Sequence, residues 1–122
     1  MLSKKNIASI WVASFIMIHM ATFASDRFIA GIADLPLISG LYLVNEETVI
    51  FEKPAGRLVQ AIAKGHRTKE AFWQFYENAL PQLGWQTVKR GNFLRDGESL
   101  NIKVEENGSQ IIARFSVSPA SK

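Results

Sequence analysis

The chain has no cysteine, so neither a disulfide framework nor a thiolate metal site is open to it. Histidine is almost as scarce. Of the two present, His19 falls in an apolar N-terminal segment and only His66 remains beyond it. A zinc centre needs three or four N, S or O ligands, and a Ser-His-Asp set would have only His66 to use. No Gly-x-Ser-x-Gly elbow occurs, and Gly31, Gly40 and Gly56 are isolated rather than gathered in a phosphate loop. Glu46-Glu47 and Glu105-Glu106 lie beside turns without the acidic spacing of a calcium loop, and read as solvated strand ends. Arg57, Arg95 and Arg114 could gather on a sheet face and hold an anion; the simpler reading makes them solvated partners of Glu98 and its neighbours. No catalytic residue, cofactor or metal site is expected, and the reading leans away from an enzyme.

Charge of one sign is also lacking. The formal net charge is +3, but Lys4 and Lys5 belong to an N-terminal leader. Cutting after Ala24 leaves 12 basic against 11 acidic residues. A nearly neutral domain has no electrostatic footprint for nucleic acid, so that class of partner is excluded.

Residues 1–24 read as a secretory signal. Lys4 and Lys5 form the positive start, and Ile7 to Met20 form an apolar run broken only by Ser9, Ser14 and His19. Thr22-Phe23-Ala24 offers small residues at the cleavage positions. The alternative is an uncleaved inner-membrane anchor facing the periplasm, because the apolar part reaches the lower limit for crossing a bilayer. Length and the small-residue site favour cleavage and a periplasmic product. Contact with the membrane is expected only through this segment, if it stays. Residues 25–40 are apolar but aperiodic and read as an extended arm or tether.

What is present begins with a helix. Thr68 is a good N-cap, and Glu70 sits in the first turn where the helix dipole favours negative charge. Phe72, Phe75, Tyr76, Ala79, Leu80 and Leu83 share one face at helical spacing. Pro81 is expected to end regular helix near Leu80, with Gly84 as the left-handed cap. Before the helix, Leu41–Val44 and Thr48–Glu52 read as strands. Lys53-Pro54-Ala55-Gly56 reads as a turn and Arg57–Lys64 as the return strand. After it, Asn107-Gly108 and Asp96-Gly97 read as two-residue hairpin turns. Closing them pairs Val104 with Ile111, Ile102 with Ala113, Leu100 with Phe115 and Phe93 with Leu100. Within the Asn107-Gly108 hairpin every large apolar residue but Ile112 then shares one face. A three-residue loop, Arg90-Gly91-Asn92, is needed to put Trp85 on that face too. The expected class is α+β. Residues 41–119 form a mostly antiparallel sheet of about five to six strands with one helix on one face, in β-β-α-β-β-β order. A signal helix precedes it, and residues 120–122 are a frayed tail.

The run Phe51-Glu52-Lys53-Pro54-Ala55-Gly56-Arg57, with Phe75-Tyr76 … Leu80-Pro81-Gln82-Leu83-Gly84-Trp85, resembles small uncharacterised exported proteins of Gram-negative bacteria. That resemblance covers most of the chain after the leader. It implies an envelope location and brings no catalytic residues. The resulting expectation is a non-catalytic envelope module that binds another, unidentified envelope protein, with Trp73, Arg57 and His66 as candidate contacts. The simpler reading of Trp73 is a ring packed at the helix–sheet rim, and Thr48–Glu52 could be an edge strand that pairs with another chain. The alternative is a small-ligand binder or unusual hydrolase using a helix–sheet cleft near Tyr76, His66 and Arg57.

Overall fold

Apolar residues at alternate positions of long strands need a cover, and here an amphipathic helix and an N-terminal loop supply it. The structure is a computed structural model and describes residues 27–32 and 34–121; the leader reading lies outside those residues. Strands β1 (Leu41–Leu43), β2 (Val49–Lys53) and β3 (Gly56–Gly65) precede helix α1 (Lys69–Gln82). Strands β4 (Gln86–Lys89), β5 (Asn92–Arg95), β6 (Glu98–Asn107) and β7 (Gln110–Pro119) follow it. The sheet order is β1-β3-β7-β6-β5-β4, all antiparallel, with β2 also paired to β3. The α+β class of the sequence reading holds. The β-β-α-β-β-β order does not: three strands precede the helix and four follow.

β1 and β2 occupy the same edge of β3. Leu43 pairs with Ala63 and Val49 with Gln60, so five residues, 44–48, oppose two. The excess is taken up by a 3-10 turn at Asn45–Glu47. One edge strand has thus been broken in two.

α1 begins as expected, with the Thr68 hydroxyl accepting from the Ala71 N–H at 3.1 Å. It runs two residues past the expected stop. Pro81 stands in the last turn, where a missing N–H removes only one bond. The end is a Schellman closure: Trp85 N–H donates to Leu80 O, and Gly84 N–H to Pro81 O. Gly84 is left-handed, at φ 89°. Arg95 completes the end by donating to Leu83 O at 2.8 Å, placing a cation at the negative pole of the helix.

The C-terminal hairpins keep the expected faces through different turns. Asp96-Gly97 closes as read, with φ positive at both residues and Phe93 opposite Leu100. The β6–β7 turn is Gly108-Ser109 rather than Asn107-Gly108, and only Gly108 has positive φ, the pattern of a II′ turn. Val104 therefore faces Ala113 and Ile102 faces Phe115. That register differs by two residues from the expected one, and a two-residue shift leaves side chains on the same face. The β4–β5 turn is Arg90-Gly91, with a bulge at Val88 between Thr87 and Lys89. The bulge supplies the extra residue that the sequence reading gave to the loop, and Trp85 is buried as expected.

Val59, Ala61, Ala63, Leu100, Ile102, Phe93, Ile111, Ala113, Phe115 and Val117 form the covered face of the sheet. Phe72, Tyr76 and Leu80 of α1 pack on it, with the Tyr76 ring 5.3 Å from Phe115. The remainder is covered by residues 27–40, which are not an extended arm. They double back through a Phe28–Pro36 bridge and bury Ile29, Ile32, Leu35, Leu37 and Ile38. Nor does the tail fray at once, since Ala120 N–H donates to Gly97 O.

Tyr76 ties this loop to the helix. Its hydroxyl donates to Pro36 O at 3.0 Å and accepts from Ile38 N–H at 3.1 Å. Burial pushes its pKa well above the ordinary tyrosine value, opposed by the Ile38 bond. The folded state therefore keeps Tyr76 neutral where the unfolded chain ionises. Its contribution is complete below about pH 10 and is lost as pH rises beyond that. Tyr76→Phe is expected to cost about 1–3 kcal/mol at neutral pH by orphaning two backbone groups, and to flatten the alkaline fall in stability. Urea melts at pH 7 and pH 11 check both effects.

Candidate functional site

The three residues singled out from the sequence are not brought together. Arg57 is the second residue of β3 and His66 follows its last residue, so they are about 30 Å apart at the rise of a strand. Between them the helix–sheet seam is filled by Phe72, Tyr76 and Leu80, each with no exposed surface. No cleft joins Tyr76, His66 and Arg57.

Each has a local task. The Arg57 guanidinium donates twice to the Glu98 carboxylate, at 2.8 and 3.0 Å, and once to Gly31 O at 2.7 Å. Its bond to Glu98 raises its pKa above the ordinary value, with partial desolvation opposing. Arg57 thus clamps the N-terminal loop to the turn that starts β6. Arg95 does the same from the other side: it reaches Asp34 at 3.5 Å and stacks 4.4 Å above the Trp85 ring. Arg114 is on the opposite sheet face, across from Lys103, so the three arginines form no anion site. Arg57→Lys keeps the charge but loses the fork, and is expected to lower stability by about 1 kcal/mol. Faster amide exchange at Gly31–Leu35 would accompany it.

The Trp73 ring is half-buried. It meets Phe72 edge-on at 5.3 Å and lies under the Arg90 guanidinium at 5.8 Å, and Arg90 also pairs with Glu77. Its outer edge rests against the Gly91 turn, so it pins α1 to the β4–β5 hairpin. His66 is exposed, with Nδ1 3.3 Å from Ser109 O and 3.4 Å from Ser109 Oγ. Its Nε2 faces the Gln110 amide instead of a carboxylate. The Ser109–His66 pair lacks the third group that a nucleophilic set requires. Among the described residues no cluster of His, Asp or Glu is arranged to hold a metal.

A depression of about 480 Å³ opens at the end of the sheet between Lys53, Arg57, Asp96, Glu98 and Pro119. Its walls are evenly mixed between polar and apolar surface, and its arginine is already neutralised by Glu98, so no unpaired charge is left to hold an anion.

The feature that sequence reasoning underweighted is the β2 edge. Val49, Ile50 and Phe51 are all about half exposed, at 52, 53 and 51 %. In register, Val49 and Phe51 stand beside Gln60 and Leu58 on the solvent face, and Tyr42 beside Lys64. Leu58 and Tyr42 are exposed too, and the Lys53 ammonium sits 5.1 Å above the Phe51 ring. Ile50 points the other way, toward Gly31. Three consecutive apolar residues signal a strand that is apolar on both faces. At the centre of a sheet that means burial; at an edge it means open apolar surface next to unpaired backbone groups.

The opposite edge is guarded. β4 is four residues long, carries the bulge at Val88 and ends on Lys89, all devices that discourage strand addition. β2 also ends on charge, at Glu52-Lys53, but among the described residues its Val49–Phe51 part carries no bulge and no charged side chain.

No family model, no curated protein and no solved structure matches the chain. The site is therefore read from its own geometry.

Proposed function

We propose that this chain is a non-catalytic, exported module of the cell envelope that binds protein, acting in the periplasm and docking through the β2 edge. The observation that carries this reading is the row Val49-Ile50-Phe51, half exposed on both faces of a strand that is outermost among the described residues. Such an edge can accept a further strand, with backbone bonds supplying affinity and alternate side chains supplying selectivity. The envelope location is supported by the leader: Lys4 and Lys5, the apolar run after them, and the small residues before Ser25. The resemblance to exported Gram-negative proteins points the same way.

Crosslinking in the intact envelope of the native host, followed by recovery of the chain, tests the reading. The wild-type chain is expected to bring one dominant crosslinked species, and Phe51→Lys to lose it while the fold persists. Recovery of the free chain alone, in repeated trials, would overturn the binding reading.

A further inference from the structure

We infer that the strand accepted by the β2 edge is the β2 strand of a second copy of this chain, added antiparallel across a two-fold axis through Ile50. The inference rests on the proposed docking edge and adds the identity of the occupant.

The argument is one of register. Two sheets joined edge to edge by a two-fold axis normal to the sheet keep their faces aligned only if the axis passes through a residue, so that like-facing residues meet. Within β2 three centres are open. Centring on Phe51 sets that residue against itself but puts Val49 against Lys53 and Ile50 against Glu52, so two of the three apolar residues meet a charge. Centring on Val49 puts Phe51 against Glu47. Centring on Ile50 sets Val49 against Phe51 on the solvent face and Ile50 against itself on the other. It also carries Glu52 and Lys53 of each copy past the start of the other's β2, so that Lys53 lies at the Glu46-Glu47 end. Only this last register sets Val49, Ile50 and Phe51 all against apolar residues while bringing Lys53 of each copy to the acidic end of the other.

The surroundings agree. Glu47 ends the 3-10 turn and is exposed, and the Glu46-Glu47 pair forms an acidic lip before β2. Lys53 is the basic end of the same strand and lies over Phe51. Each copy thus presents an acidic start and a basic finish, which is self-complementary under a two-fold axis and repulsive when strands run parallel. The joint would cover Val49, Ile50 and Phe51, three of the exposed large apolar residues. It would also continue the antiparallel sheet from one copy into the other.

The absence of native cysteine makes the test clean. In an antiparallel pair, residues directly opposite have Cα atoms about 4.5–5.5 Å apart, within the range a disulfide spans. Ile50→Cys in the full chain, oxidised in isolated envelopes, is expected to form a covalent dimer about tenfold faster than Glu52→Cys. The two positions are similarly exposed, but Glu52 of one copy is about 13 Å from Glu52 of the other. Chains carrying Val49→Cys and Phe51→Cys should link when co-expressed, and Val49→Cys alone should not. Glu47→Lys should slow linkage at position 50, and adding Lys53→Glu should restore it. Equal linkage at positions 50 and 52 would overturn the register. If position 50 gives no covalent dimer while the chain is crosslinked to a different protein, self-pairing falls and the docking reading stands. If no dimer forms and no other species is captured, both fall.

Discussion

Gly65→Ala is expected to destabilise the fold by roughly 3–4 kcal/mol, although it adds one methyl to a residue of high sequence tolerance elsewhere. Gly65 ends β3 opposite Leu41, with ordinary strand geometry and no left-handed strain. The difficulty is space. A Cβ there would sit inside the Gly40 carbonyl oxygen and 2.8 Å from the Leu41 Cα. These are backbone atoms that cannot rotate aside. The strand must separate locally, which breaks the β1–β3 pairing and lifts Leu41 and Leu43 from the core. A denaturation midpoint well below wild type, with fast amide exchange at residues 41–43, is the expected signature. A near-normal midpoint would show that the Gly40–Leu41 crossing has slack the structure does not show.

Trp85→Ala is expected to cost about 3–5 kcal/mol, a large share of the total for a domain of this size. Trp85 is 1 % exposed, closes the helix C-terminus through its backbone, and carries the stacked Arg95 guanidinium. Its loss opens a cavity between the helix end and β5 and frees Arg95 from the stack that helps aim it at Leu83 O. Trp85→Phe supplies the contrast. The indole Nε1 is buried with no hydrogen-bond partner among the described residues, so removing that N–H offsets part of the lost volume. Phenylalanine should retain most of the stability, with a loss of about 1–2 kcal/mol. Equal losses for both variants would show that a phenyl ring does not refill the space between the helix end and β5.

The pattern of which expectations held has physical reasons. Residues whose neighbours lie close in sequence were legible: the Thr68 cap, the Gly84 closure and the Asp96-Gly97 turn each follow from side chains within a few positions. Face assignment survived a wrong turn because side-chain direction depends only on whether a register is odd or even. The β6–β7 pairing could therefore move by two residues without disturbing the core. Long-range clamps were not legible. Arg57 with Gly31, Arg95 with Leu83 and Tyr76 with Pro36 join segments 12 to 40 residues apart, and nothing in local composition marks them. The first and last of these bonds tie residues 27–32 and 34–40 into a compact cover that the sequence alone presents as an aperiodic arm.

The docking edge was half legible. The Thr48–Glu52 stretch read as a strand because it is β-branched and aromatic. Its exposure depended on sheet order, which sets β2 outermost beside β3. Trp73 was the more visible candidate because tryptophan favours interfaces. Its ring is instead used within the chain, against Phe72, Arg90 and the Gly91 turn.

The most direct measurement places a photoreactive side chain at Phe51 in one full-length chain and at Val88 in another, and illuminates intact cells. Both positions are exposed and apolar on opposite edges of one sheet, so they sample the same compartment with the same chemistry. A discrete adduct from position 51 and none from position 88 is the expected result. An adduct from position 88 alone, or from neither position, would contradict the claim that the β2 edge is where this protein meets its partner.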